Sequence, residues 1–309
     1  MRVLGHIHTF NEAAVIDRSL AALRAQSHPV DGILLIDNAS TDGTLDRAFP
    51  SDVQVIRFDD NRLSSDPIIE AMQHAQKNGY DWVWILNGDT APRPDSLAKL
   101  LALYESLEPA VRDSTWLLHA LTRDAATGKC NHGFYVTDRG MRTAQPDGDA
   151  PYECDATIWS GSLYRVADLA TVGMPRSDYA MDIAEIEFGY RGRLHGLRAF
   201  VHPGAICDHN IGGASMAVEP ARFGPFQVEL IELKPFRCYY VVRNVLHFWL
   251  YLHRNNTWAS YFYCFGKVAK LTANFAVRPV THRRQLGACV RGMLDGVLGR
   301  LDYKYPVWR

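Results

Sequence analysis

The sequence predicts an α/β protein, a doubly wound sheet followed by a helical C-terminal region. Three observations carry that expectation. Apolar runs of strand length recur between residues 2 and 122, each ending in a polar cluster, and most lead into a helical pattern. The runs Gly32-Ile33-Leu34-Leu35-Ile36 and Trp82-Val83-Trp84-Ile85-Leu86 are apolar without alternation, as in parallel strands buried on both faces. After about Pro235 the texture changes to long helical stretches dense in aromatics and bases.

Residues 2–8 read as a buried strand. Asn11 is placed to cap a helix through Ile16, Leu20 and Leu23, which Pro29 ends. The strand 32–36 runs into Asp37-Asn38-Ala39-Ser40-Thr41-Asp42-Gly43, a polar turn expected to open another helix. Residues 53–58 read as a strand, 67–77 as a helix, and 82–86 as a strand ending in Asn87-Gly88-Asp89-Thr90. Pro92 and Pro94 precede a further helix, 115–122 reads as a strand, and 125–150 reads as a long loop. Residues 238–252, 258–275 and 282–298 have helical length and pattern. Ligands of such sheets bind at the carboxyl ends of the strands, so the clusters at 9–12, 37–42 and 87–90 should converge on one edge.

With 309 residues, 47% hydrophobic and 22% charged, the composition excludes collagen-like, coiled-coil and disordered classes. The six cysteines (Cys130, Cys154, Cys207, Cys238, Cys264, Cys289) form no CxxC pair, so neither a zinc site nor a disulfide framework is expected and a reducing, cytoplasmic setting fits. The N-terminus is too polar for a signal peptide, and no run of 18 apolar residues suits a membrane span. The net charge of −1 conceals an asymmetry: residues 231–309 hold 13 Lys/Arg against Glu232, Asp295 and Asp302, whereas the rest holds 20 bases against 31 acids. A basic end implies an anionic partner.

The segments Thr9-Phe10-Asn11-Glu12, Gln26 and Asp37-Asn38-Ala39-Ser40-Thr41-Asp42-Gly43-Thr44 resemble the opening of family 2 glycosyltransferases of the GT-A fold. The similarity continues through Asp81, residues 86–92, Trp159-Ser160-Gly161, residues 185–191, Gly196 and His209. It is greatest to the bacterial rhamnosyl- and galactofuranosyltransferase group, which also carries a segment similar to Tyr239-Tyr240…Arg243-Asn244. The resemblance implies a GT-A catalytic domain over residues 1–215 and a helical region over 216–309. It also implies inverting transfer of a sugar from a UDP- or dTDP-sugar to a hydroxyl of a bacterial surface glycan or lipid-linked acceptor.

By that resemblance, Thr9, Phe10, Asn11, Glu12, Asp37, Asn38, Asn87, Gly88 and Asp89 form the donor-nucleotide site. Asp37 is expected to accept from the N3–H of a uracil or thymine, with Phe10 stacked on the base. Asp89 and His209 are expected to ligate Mn2+ or Mg2+, which neutralises the diphosphate. Asn87 and Gly88 replace the first acid and the middle residue of the family's Asp-x-Asp. Glu185 is the candidate general base, and Asp182, one helical turn earlier, is its rival. Glu187 and Arg191 have i,i+4 spacing, which fixes a helix. Trp159, Ser160, Gly161, Asp182, Glu187 and Arg191 make up the expected acceptor side.

The C-terminal aromatics and bases fit a membrane-surface helix on the inner face of the cell membrane, a helical subdomain, or a homo-oligomer interface. No nucleic-acid module pattern is present. Two other functions fit the fold. A sugar nucleotidyltransferase needs a Gly-rich basic first loop that residues 8–13 lack, and an inactive nucleotide-binding scaffold is suggested by Asn87-Gly88.

Overall fold

The computed structural model describes residues 1–146, 148–210, 217–223, 226–254, 256–278 and 280–306. The chain divides into two units. One comprises Met1–Val136, Arg142–Ser177 and Glu185–Asn210, the other Thr137–Met141, Asp178–Ala184 and Ile211–Arg309. The expected boundary at residue 215 lies outside the described residues.

In chain order the strands up to residue 209 are β1 (Val3–Thr9), β2 (Gly32–Asp37), β3 (Val53–Arg57), β4 (Trp82–Asn87), β5 (Thr90–Pro92), β6 (Thr115–Asp124), β7 (Cys130–Asn131), β8 (Phe134–Thr137), β9 (Gly140–Thr143), β10 (Tyr152–Cys154), β11 (Ser162–Arg165) and β12 (Arg198–His209). The helices are α1 (Ile16–Arg24), α2 (Ser65–Lys77), α3 (Ser96–Ser106), α4 (Pro109–Ser114), α5 (Leu169–Val172) and α6 (Ala184–Leu194). The main sheet runs β10-β12-β6-β11-β4-β1-β2-β3, with β5 on β12 and β7 on β6. Strands β4, β1, β2 and β3 are parallel, as the unalternated apolar runs predict. Leu34, Leu35 and Ile36 are fully buried, as are Val83, Trp84, Ile85 and Leu86. Strand β11 enters antiparallel between β4 and β6, so the sheet is mixed.

Three local expectations are corrected. Residues 44–47 are turns and bends and 48–50 have no regular structure, so no helix forms, because Asp42 takes the Thr44 N–H (3.0 Å) and only six residues separate Gly43 from Pro50. Helix α1 starts at Ile16, and Asn11, at φ +56°, bonds across to the next loop. The stretch 125–150 is not one loop; it holds β7, β8 and β9.

Two histidines sit unprotonated in this sheet. His6 and His119 are fully buried, and neither Nε2 has a hydrogen-bond partner among the described residues. Burial pulls His119 from the usual 6.5 down to about 3, helped by the nearby His132. Burial, then His8, holds His6 well below 6.5. Below about pH 6.5 the unfolded chain therefore binds protons that the folded chain refuses. Stability is present above that value and is lost as pH falls toward 3, at up to about 1.4 kcal/mol per pH unit for each histidine. Urea midpoints at pH 7 and pH 5 should show the fall, and His119→Asn should flatten it. An unchanged slope in the variant would contradict this account.

The second unit holds β13 (Ala217–Phe223) and β14 (Phe226–Glu232), an antiparallel pair that the sequence did not announce. It also holds α7 (Pro235–His247), which continues as a π-helical turn over Phe248–Leu252, α8 (Trp258–Ala276) and α9 (Arg283–Val297). These three helices match the expected ranges to within a few residues. A side chain at Gly296 would meet the Arg243 carbonyl at 2.8 Å, so glycine lets α9 lie against α7. Among the described residues no helix is long and apolar enough to cross a membrane.

Arg243 is fully buried in this unit. It donates to the Asp178 carbonyl and to Asn244 Oδ1 (2.8 and 3.0 Å), and lies over the rings of Tyr240 (4.8 Å) and Tyr239 (5.4 Å). Asn244 Nδ2 donates to the carbonyls of Tyr179 (2.8 Å), Met181 (2.7 Å) and Asp182 (2.9 Å). The segment so held is strained: Ala180, Asp182 and Ile183 have φ of 58°, 47° and 66°. Each such non-glycine residue costs on the order of 1–3 kcal/mol, and persists because its surroundings enforce it.

Candidate functional site

The parallel register sets the polar strand ends side by side. Thr9 pairs with Asp37 and His8 with Asn87. Backbone bonds continue past the strands, Asn38 N to Thr9 O and Gly88 N to His8 O, each 2.9 Å. Side chains then lace the loop after β1 to the loop after β2. Asn11 Oδ1 accepts from Thr41 N (2.8 Å), Ser40 Oγ from Asn11 N (2.9 Å), Thr44 Oγ1 from Glu12 N (3.0 Å) and Asp42 Oδ2 from Ala13 N (2.9 Å). Short polar side chains bond neighbouring backbone readily, which is how the Asp37–Thr44 stretch of the sequence becomes a rigid loop rather than a helix.

Asp37 is completely buried. Its Oδ2 accepts from Ser40 N (3.0 Å) and lies 3.7 Å from Arg57 Nε, while Oδ1 meets no donor among the described residues. Asn38 fastens the following loop, donating to Leu63 O (2.7 Å) and accepting from Arg62 N (2.8 Å). Phe10, which follows Thr9 in the chain, is partly exposed.

A second knot forms around Asn87-Gly88-Asp89-Thr90. A Cβ at Gly88 would stand 1.9 Å from Glu12 Oε2 and 2.8 Å from Thr9 Oγ1, so only glycine leaves room for the Glu12 carboxyl. Thr9 Oγ1 donates to that carboxyl (2.8 Å). Burial, then the Asp89 carboxylate, pushes Glu12 up to about 7. Burial drops His8 to about 4, against the attraction of Asp89 and with the help of His209. Glu12, His8, Asp89 and His209 thus feel one another electrostatically, although they come from β1, its following loop, the β4–β5 turn and β12.

His209 pairs in register with Thr90. Its Nδ1 lies 2.7 Å from Thr90 Oγ1 and 3.0 Å from Asp89 Oδ1. Thr90 Oγ1 also contacts Ser160 Oγ (2.7 Å), which accepts from Asn87 N (3.3 Å). Thr90 is therefore the hub of the knot; the sequence places it in the polar cluster 87–90 without assigning it a role, and its place directly after the Asn-Gly-Asp triplet is the available signal. Next door, Asp208 takes two bonds from Arg123 (2.7 and 3.0 Å).

Asp89 Oδ1 and Asn87 Oδ1 are buried and lack a well-aligned hydrogen-bond donor among the described residues. An orphaned carboxylate oxygen beside an imidazole suits a hard or borderline divalent cation. No three His, Cys, Asp or Glu side chains among the described residues form a ready cage. Asp89 and His209 would be the protein's share of an ion's ligands.

The remaining predicted residues lie in the segment that enters β11 and in and before α6. Trp159 is only 6% exposed and packs on Tyr164 (6.0 Å between rings) and Phe188 (5.7 Å), so its indole belongs to an aromatic cluster that includes Trp116. Gly161 turns the chain at φ +91° into β11. Glu187 is buried and takes two 2.9 Å bonds from Arg191, which also donates to the carbonyls of Val172 and Met174. That pair fixes α6. Glu185 sits partly exposed in the first turn of α6, close enough to Tyr164 that its charge adds to burial in raising the phenol. Asp182 is not one helical turn before it: α6 begins at Ala184, and Asp182 is left-handed and paired with Arg237 at 3.1 Å.

Residues 6–124 match the family model described as glycosyl transferase family 2. No curated protein matches the chain. Among solved structures, the mannosyltransferase PcManGT from Pyrobaculum calidifontis, in complex with GDP-Man and Mn2+, has a TM-score of 0.55 at 15% identity over 97% of this chain and 88% of that one. S. aureus TarS 1-349 in complex with UDP-GlcNAc has a TM-score of 0.54 at 14% identity, over 98% of this chain and 83% of that one. GalNAc-T7 with UDP, GalNAc and Mn2+ has a TM-score of 0.53 at 15% identity over 67% of this chain, which spans 43% of that chain's length. At such identities the likeness carries the fold alone, a GT-A glycosyltransferase-like α/β sheet with a helical C-terminal region.

Proposed function

We propose that this chain is an inverting glycosyltransferase. It moves a rhamnose-like or galactofuranose-like sugar from a UDP- or dTDP-donor to a hydroxyl of a bacterial surface glycan or a lipid-linked acceptor. One observation carries the reading: among the described residues, buried oxygens of Asp37 and Asn87 that meet no hydrogen-bond donor stand at the ends of β2 and β4, the two parallel strands that flank β1, with Asp89 and His209 paired just beyond β4. Asp37 Oδ1 suits the N3–H of a pyrimidine base. Phe10 and the Asn11, Glu12 and Asn38 loops frame that base and its ribose. Asp89 and His209 hold a divalent cation, which when bound neutralises the diphosphate and the charge that grows on it. The structural neighbours that were solved with UDP, UDP-GlcNAc or GDP-Man, two of them with Mn2+, support a nucleotide-sugar donor.

Transfer is a single displacement. The acceptor oxygen attacks C1, Glu185 takes its proton, and the nucleoside diphosphate leaves with the bonding pair. Ser160 and Gly161 turn the chain beside the donor. Glu187 and Arg191 serve by holding α6, the helix that carries Glu185. Residues 1–215 act as the catalytic domain, working at the cytoplasmic face. The region 216–309 supplies membrane contact or self-association.

Thermal shift with UDP, dTDP and GDP, with and without Mn2+, tests the donor site. A ligand at a hundred times its Kd adds about 2.7 kcal/mol, or roughly 4 °C for a chain of this length. UDP or dTDP should give such a shift in Mn2+ that Asp89→Ala weakens and Asp37→Ala abolishes. No shift with any nucleoside diphosphate would overturn the reading.

A further inference from the structure

Helix α8 contains no acid and only two charged residues, Lys267 and Lys270. Its inward side is apolar, with Cys264, Val268 and Phe275 buried. Its outward side is apolar as well. Trp258 is 80% exposed, Phe262 76% and Phe265 47%, at i, i+4 and i+7, and Ala269, Ala273 and Ala276 extend the same stripe. A helix that is apolar all round is normally covered on every side. Helix α9 repeats the arrangement, with Val290, Leu294 and Val297 exposed in a row beside Arg283, Arg284 and Arg291.

The charges say what covers these faces. Between residues 233 and 301 Asp295 is the sole acid; it is buried, and accepts from Tyr239 and Arg291. Lys270 flanks the stripe of α8 and Arg283 and Arg284 that of α9, Lys267 lies further round α8 over the Tyr263 ring (5.0 Å), and neither helix has an exposed acid. A second copy would bring this cationic border against an identical one, and like charges oppose that contact. An anionic surface meets it with opposite charge. Exposed Trp and Phe flanked by Lys and Arg are what a helix needs to lie in a lipid headgroup layer, with the aromatic rings sunk and the ammonium groups reaching the phosphates.

We infer that the outward faces of α8 and α9 dock on an anionic bilayer surface, with Trp258, Phe262 and Phe265 entering the interface. The inference sharpens the membrane-contact reading above and is independent of sugar transfer, since binding is measured without donor or acceptor. The full-length chain is sedimented with vesicles of phosphatidylcholine, plain or carrying about one third phosphatidylglycerol. Wild type should bind the anionic vesicles, and salt should weaken the binding. Trp258→Ser with Phe262→Ser, both at exposed positions, should lower the partition at least about ten-fold with the thermal midpoint unchanged. Lys267→Glu with Lys270→Glu should abolish the preference for anionic lipid. No binding by wild type, or equal binding by the aromatic variant, would overturn the inference. So would a wild-type dimer in light scattering that the aromatic substitutions dissolve.

Discussion

Glu185→Gln is expected to keep nucleotide binding and to lose two to four orders of magnitude in turnover, on the order that a positioned general base contributes. The amide has the shape of the carboxyl, so the first turn of α6 should survive. It cannot accept the acceptor's proton. Glu187→Gln supplies the contrast. Glu187 is buried and spends both oxygens on Arg191, so its loss should appear in stability, with little change in the chemical step of the folded fraction. Donor-saturated single-turnover rates, read beside the UDP thermal shift in Mn2+, separate the two effects. Normal turnover in Glu185→Gln would remove the residue from the mechanism.

Arg243→Met is the second large effect, and it is one of folding. The substitution preserves much of the side-chain volume over Tyr239 and Tyr240 but deletes the fork that serves the Asp178 carbonyl and Asn244 Oδ1. Each buried acceptor left without a donor costs about 1–3 kcal/mol, so a loss of about 3 kcal/mol or more is expected. The loss falls on the strained residues Ala180, Asp182 and Ile183, which should then become a site of limited proteolysis. Arg243→Lys should fail to restore stability, because one ammonium cannot span donors that a planar guanidinium reaches together. Urea unfolding of the three proteins checks this, and a Lys variant as stable as wild type would refute it.

Much of this was legible in the chain because the signals were local. The unalternated runs ending at Ile36 and Leu86 mark parallel strands buried on both faces, and the polar residues after them fall at one edge of the sheet, on either side of β1. The C-terminal helices declared themselves by length and periodicity. What was not legible depended on partners far away in sequence. The six residues after Gly43 looked helical, yet Asp42 and Thr44 bond the loop after β1 instead. Strand β11 runs antiparallel because of where its partners β4 and β6 lie, which no pattern within Ser162–Arg165 reveals. Gly88 read as a departure from an acidic triplet; its physical cause is the Glu12 carboxyl, 76 positions earlier in the chain and resting in the space a side chain would fill. Thr90 stands in the predicted polar cluster after β4, but its role as the hub depends on Ser160 and His209, which come from far along the chain.

The strained segment 178–184 belongs with residues from beyond 211, although the chain crosses into the other unit before and after it. Segments of the two units therefore alternate along the polypeptide, and no single cut separates them. A shortened protein ending near residue 210 would keep Asp178, Tyr179 and Met181 but forfeit the guanidinium and amide that hold their carbonyls. During synthesis the same dependence imposes an order of events: the stretch leading into Glu185 has to wait for more than fifty later residues before its own anchor exists.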